Sequence, residues 1–165
     1  MSRGKIHAFY GNGKGKTSAA LGQALREARE GQSISVIQFL KGKLKDEFKL
    51  IKRLEPEVNV FTFDRSEESY CDLSFEEREE EKQNILNGFN YAKKVIETGE
   101  TDIIILDELF GLVDLGIISE DDVKEILELE GDYEKMYITG DNLAEGLIPQ
   151  IDIICKIVLE KDENE

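Results

Sequence analysis

The residues of this chain best suited to chemistry lie in one stretch, Gly11-Asn12-Gly13-Lys14-Gly15-Lys16-Thr17. Glycines permit φ > 0 and let a backbone approach a ligand closely. Such a turn can point successive N–H groups inward as an anion nest, and a helix starting there adds the positive end of its dipole. Lys16 supplies a full charge and Thr17 a hydroxyl suited to Mg²⁺. The stretch reads as a phosphate-binding loop with an unusual count. The common pattern places four residues between its first Gly and the Gly-Lys pair. Here Tyr10 stands where that Gly would be, and only Asn12, Gly13 and Lys14 separate Gly11 from Gly15. The alternative is a glycine-rich turn that binds nothing. The apolar run Ile6–Tyr10 before it and the Ala- and Leu-rich helical pattern after it favour phosphate binding.

A second candidate lies roughly ninety residues on, where four apolar residues end in Leu106-Asp107-Glu108-Leu109. Acidic residues at the end of a buried strand can ligate Mg²⁺ or its waters, opposite the Thr17 hydroxyl. Alone, such a pair often merely opens a loop; with a phosphate loop upstream it becomes a candidate metal site. Arg26, on the predicted first helix, is either a third phosphate contact or a surface arginine pairing with Glu27 or Glu30. His7, the single histidine, reads as a packing residue in a strand. No Ser-His-Asp or Cys-His constellation is legible, so the chemistry must come from bound metal, nucleotide and substrate.

The elements that must position these residues alternate. Strands are predicted over 5–10, 33–39, 58–63, 102–106, 135–139 and 152–159. Helices are predicted over 17–30, closed by Gly31 at C′, from Ser74 to about Thr98, from Ser119 to about Glu130, and over 143–148. Residues 41–55 read as a basic loop with a short helix, closed by Pro56, and 64–73 as a polar loop. Ser74 with Glu77 forms a capping box, and Ile85, Phe89, Ala92 and Ile96 share one face of that long helix. Glu76–Glu81 reads as its solvated start. The order predicts an α/β fold of three layers, a mainly parallel sheet of about six strands with helices on both faces. Right-handed crossovers then place the phosphate loop at the carboxyl edge of the sheet.

Length and composition agree with one domain over 1–160 followed by an acidic tail over 161–165. Apolar residues make up 40% and charged residues 35%, as in a globular chain rather than a disordered one. The formal net charge of −15 argues against nucleic-acid binding and for solubility, and leaves the few cations near the loop to create a local positive field. Cys71 and Cys155 have no metal-ligand spacing and suit a reducing compartment. No run reaches membrane-spanning length and no signal peptide is apparent, so a cytoplasmic setting is expected.

At these residues the chain resembles the ATP:corrinoid adenosyltransferases of the cobalamin pathway, a P-loop (RecA-like) family with the same shortened loop. The likeness rests on Gly11 through Ala20 with Leu21-Gly22 and Arg26, on Val36-Ile37-Gln38-Phe39-Leu40-Lys41-Gly42, on Leu106-Asp107-Glu108-Leu109, on Thr139-Gly140 and on Ile151-Asp152. It implies transfer of the 5′-deoxyadenosyl group of ATP to the Co(I) of a reduced corrinoid, with tripolyphosphate leaving and ATP lying reversed in the loop. It also implies that Gly11, Asn12, Gly13, Lys14, Gly15, Lys16, Thr17, Ser18 and Arg26 hold the triphosphate. Thr17, Glu108 and Asp107 would serve Mg²⁺, and Lys16 and Glu108 act in catalysis. A separate electron donor, a flavodoxin-like reductase, and a possible homodimer are implied as well.

The chain departs from that family at three places. A Gly-Phe-Thr-Trp type of stretch near the corrinoid is usual after the third strand; here Phe61-Thr62-Phe63, Tyr70 and Phe75 stand in its region, and the chain has no Trp. Phe61 and Phe63 suit either the corrin face or the core. Asp141 follows Thr139-Gly140 where Arg is usual, and the family's C-terminal His-Pro and Gly-Ile-Glu elements do not occur. Two alternatives therefore stand beside adenosyl transfer: an impaired paralogue that binds ATP and corrinoid, and a small P-loop kinase or NTPase.

Overall fold

The structure, a computed structural model, describes residues 3–40 and 50–164. Its six strands are β1 (Lys5–Tyr10), β2 (Ile34–Gln38), β3 (Val58–Thr62), β4 (Ile103–Asp107), β5 (Lys135–Gly140) and β6 (Ile153–Lys156). All neighbouring pairs are parallel, in the order β3-β2-β4-β5-β1-β6. The helices are α1 (Lys16–Glu27), α2 (Phe75–Thr98), α3 (Leu109–Asp114) and α4 (Glu120–Glu128). Short 3₁₀ turns lie at Ile51–Leu54, Tyr70–Asp72 and Glu145–Gln150.

Alternation along the strands builds two cores. Ile104 and Leu106 of β4 face one way with Ile85, Phe89 and Ile96 of α2, Leu109 and Leu112 of α3, and Val123 and Ile126 of α4. Ile103 and Ile105 face the other way with Phe9, Tyr137, Ala20 and Ala24, under α1. Every residue of β4 is buried, as an apolar strand covered on both faces must be. This is the expected three-layer arrangement. The parallel register brings the ends of β1, β2, β4 and β5 to one edge, with Tyr10 beside Gly140 and Gln38 beside Asp107.

The long helix keeps its predicted cap: the Ser74 side chain accepts from Glu77 N and the Glu77 carboxylate from Ser74 N. Several expectations are corrected. The first helix stops at Glu27, not Glu30, and Gly31 is not its C′ residue. Instead Gly31, with φ 87°, serves a turn closed by Gln32 N donating to Arg29 O. The predicted helix over 143–148 is the 3₁₀ turn Glu145–Gln150, which contains Pro149. The last strand ends at Lys156, because residues beyond it turn onto the glycine-rich loop after β1. Glu81 is not solvated: it is 5% exposed and accepts from the Arg65 and Ser66 amides at 2.7 and 2.6 Å. It thereby pins the loop after β3 to α2. α3 has no counterpart among the predicted helices. Lys41 and Gly42 lie outside the described residues.

Candidate active site

The loop leaves β1 at Gly11, with φ 119°, and enters α1 through Gly15, with φ 91°. A Cβ at Gly11 would lie 2.2 Å from Ile157 O, and one at Gly13 would lie 2.5 Å from the Ile157 side chain. Both glycines are needed because the segment after β6 crosses the loop there. Gly13 N donates to Ile157 O at 2.9 Å, Gly11 N to Asp141 O at 3.0 Å, and Leu159 N to the Asn12 side chain at 3.1 Å. A Cβ at Gly15 would meet nothing; that glycine is required for its backbone conformation alone. The first-turn amides of Lys16, Thr17 and Ser18 have no intrahelical acceptor and form the anion-attracting end of α1.

Lys16 bends back over the loop. Its ammonium donates to Gly11 O at 2.8 Å, Gly13 O at 3.1 Å and the Asp141 carboxylate at 2.9 Å. Lys14 points outward and pairs with Asp162 at 3.2 Å. Thr17 Oγ1 donates to Asp107 Oδ1 at 2.6 Å, tying the loop to the end of β4. The same carboxylate oxygen accepts from Thr139 at 2.8 Å, and Thr139 Oγ1 accepts from Glu108 N at 2.9 Å. Gln38 also hydrogen-bonds Asp107. Burial pushes Asp107 upward, against these hydrogen bonds and nearby Lys16.

Glu108 has φ 63°, the one non-glycine residue with positive φ among those described. Such strain persists only where surroundings enforce it, and it collects at functional sites. Desolvation first, then the Asp107 and Asp141 charges, raise Glu108 to about 7. Among the described residues no three His, Cys, Asp or Glu side chains gather as a ready-made metal cage.

The predicted residues Gly11 through Ser18, Asp107 and Glu108 thus share one edge. Arg26 does not join them. It is exposed in the last turn of α1, ten residues past Lys16, which a helix converts to about 15 Å. Thr139 and Gln38, now seen on Asp107, were not singled out as site residues; their position at strand ends beside the loop was the available signal. Of the aromatics in and after β3, Phe61 and Phe63 pack on Tyr91 of α2 at 5.1 and 5.5 Å between ring centroids. Phe75 stays 77% exposed. His7 packs as expected, stacked on Phe9 at 4.4 Å, and burial lowers its pKa.

Comparison with known proteins points the same way. The sequence profile of "ATP:corrinoid adenosyltransferase BtuR/CobO/CobP" matches residues 2–165. A corrinoid adenosyltransferase of Escherichia coli (strain K12) is 28% identical over 160 residues, covering 94% of this chain and 76% of the relative. The corrinoid adenosyltransferase CobA of Salmonella typhimurium is 27% identical over 156 residues, with the same coverage. One of Pseudomonas aeruginosa is 24% identical over 160 residues, covering 96% and 77%.

Proposed function

The chain belongs to the ATP:corrinoid adenosyltransferase BtuR/CobO/CobP family, and from that premise we propose how its loop serves the transfer. The Co(I) lone pair forms a Co–C bond at the ribose 5′ carbon of ATP. The C–O bond to the triphosphate breaks, its electron pair leaves with tripolyphosphate, and the cobalt is formally oxidised to Co(III). Charge therefore grows on the leaving group, where fixed positive groups are most effective. The amides of Gly15–Ser18 and the Lys16 ammonium hold that polyphosphate, with Lys14 at its outer side. The observation that carries this reading is the shortened loop docked through Thr17 onto Asp107 at 2.6 Å.

The donors fit Mg²⁺. A hydroxyl, a buried carboxylate with its hydrogen-bond partners in place and the partly buried Glu108 are hard oxygen ligands, and Mg²⁺ ordinarily completes its shell with water and phosphate. Thr17 and Glu108 would hold it, with Asp107 orienting Thr17. When bound, it would neutralise charge on the leaving polyphosphate. The corrinoid sits at the carboxyl edge near the loop pinned by Glu81, with Tyr70 and Phe75. A separate flavodoxin-like reductase supplies the electrons for Co(I), in a cytoplasmic setting, and the working form is a homodimer. No helix among the described residues is long and apolar enough to cross a membrane.

Cob(I)alamin with Mg·ATP under strong reductant is expected to yield a light-sensitive Co–C product and tripolyphosphate. Lys16→Ala should lower the rate by about 100-fold or more. Orthophosphate release without an adenosylated corrinoid would overturn the reading in favour of an NTPase. The hold of Asp141 on Lys16 favours one second reading, a binding paralogue; tight Mg·ATP binding without turnover would select it.

A further inference from the structure

Both loop lysines that the reading above assigns to phosphate already carry a carboxylate from elsewhere in the chain. Lys16, with its side chain 11% exposed, is paired with Asp141 at the end of β5. Lys14 is paired with Asp162, beyond the segment that crosses the loop. The crossing segment is firmly seated. Ile157 bonds Tyr10 O through its N–H and Gly13 N through its carbonyl, and Leu159 N reaches Asn12. Asp162 is thus delivered to Lys14 by backbone contacts that the loop glycines were shaped to accept. Asp141 is delivered likewise, because its own carbonyl accepts from Gly11 N. A carboxylate on an ammonium offers what a phosphate oxygen offers, an anionic acceptor at hydrogen-bond distance.

We infer that Asp141 and Asp162 are internal competitors for the polyphosphate site, occupying Lys16 and Lys14 in the free protein. The inference rests on the polyphosphate reading of the loop and adds what that reading lacks, a tuning of affinity. A bound polyphosphate must displace both carboxylates. After transfer, the same carboxylates return to the lysines as tripolyphosphate departs. They weaken ATP and tripolyphosphate alike, a uniform effect that lowers the affinity for substrate and product together. Asp141 is the stronger competitor because its partner is largely withdrawn from water, whereas Lys14 is 77% exposed and its pair is screened.

The test is equilibrium binding of Mg·ATP and of inorganic tripolyphosphate to the full chain and to D141N, D162N and the double variant. Asp121→Asn, at an exposed position in the first turn of α4, controls for loss of one negative charge. D141N keeps the carbonyl that serves Gly11, so the loop should fold unchanged; thermal melting checks this. D141N is expected to bind both probes about three- to tenfold tighter, D162N up to about threefold tighter, and the double variant tightest. Affinity unchanged or weaker in D141N and D162N, or an equal gain in Asp121→Asn, would overturn the inference. The two readings fail separately. Tighter binding in D141N without adenosylation of cob(I)alamin sinks the transferase reading alone, whereas adenosylation with unchanged affinity sinks the competitor alone. No Mg·ATP binding by any of the proteins sinks both.

Discussion

Glu108 joins two unfavourable features in one residue, a left-handed backbone and a carboxyl raised to about 7. The pKa has a sign for stability. Its folded value lies above the ordinary 4.5, so between about 4.5 and 7 the native state binds more protons than the unfolded chain. Stability from this group is full below 4.5 and is lost as pH rises through 7. Glu108→Gln removes that slope. In EDTA at pH 8 the variant should melt about 3–6 °C above the wild type, with the gap closing near pH 4.5. A gap that is constant with pH would show that the charge is not what strains the site. Most of this site was legible from residue types. Lys16, Thr17 and Asp107 announce themselves because a Gly-Lys-Thr turn and an acid after an apolar strand each have a mechanism. Thr139 does not, since a hydroxyl at a strand end is ordinary until a buried carboxylate is found beside it. Arg26 came to the triphosphate only through the family resemblance, and ten residues of helix carry it about 15 Å along α1 from Lys16.

At the scale of elements, the glycine-rich loop is shaped by β6 and its continuation. Gly11, Gly13 and Gly15 look alike in sequence yet answer to different constraints. Alanine at Gly15 adds a methyl in open space and costs only the left-handed backbone, about 1 kcal/mol. Alanine at Gly11 combines φ 119° with a carbonyl 2.2 Å away, so the crossing segment must move. We expect G11A to lose about 2–4 kcal/mol and G15A about 1 kcal/mol in urea unfolding, with unchanged m-values. Equal losses would mean that the segment does not press on the loop. That segment was hidden in the sequence, where residues 157–162 read as the end of a strand and an acidic tail. α3 was hidden for another reason. Leu109–Leu112 are all buried, so no amphipathic stripe appears, and its N-cap is Glu108 in a left-handed conformation rather than Ser, Thr or Asp. The strands and α2 were legible because period and capping residues agreed there.

For the whole molecule, 36 acids against 21 lysines and arginines give a formal charge of −15. Self-repulsion of that size opposes the compact state, and salt weakens it because the Debye length falls from about 30 Å at 0.01 M to about 8 Å at 0.15 M. The favourable exposed ion pairs, such as Lys93 with Glu125 and Lys124 with Glu120, are also screened, but each contributes little. Repulsion should therefore dominate. At pH 8, raising NaCl from 20 to 300 mM should increase the melting temperature by about 2–5 °C, equivalent to roughly 1 kcal/mol. At pH 5 most of the excess charge is near neutralisation, because the sequence pI is about 4.6, and the salt effect should shrink towards zero. Glu27 and Asp152 act against further acidification. The hydrogen bond from Lys135 holds the Glu27 carboxyl below its ordinary value, and the Ile6 amide does the same for Asp152. Stability that these two groups contribute is present above the ordinary carboxylate range and lost as pH falls through their folded values. Melting curves at two salt concentrations across pH 4–8 decide the point. A melting temperature that falls with salt at pH 8 would mean that specific ion pairs, rather than net repulsion, govern this acidic fold.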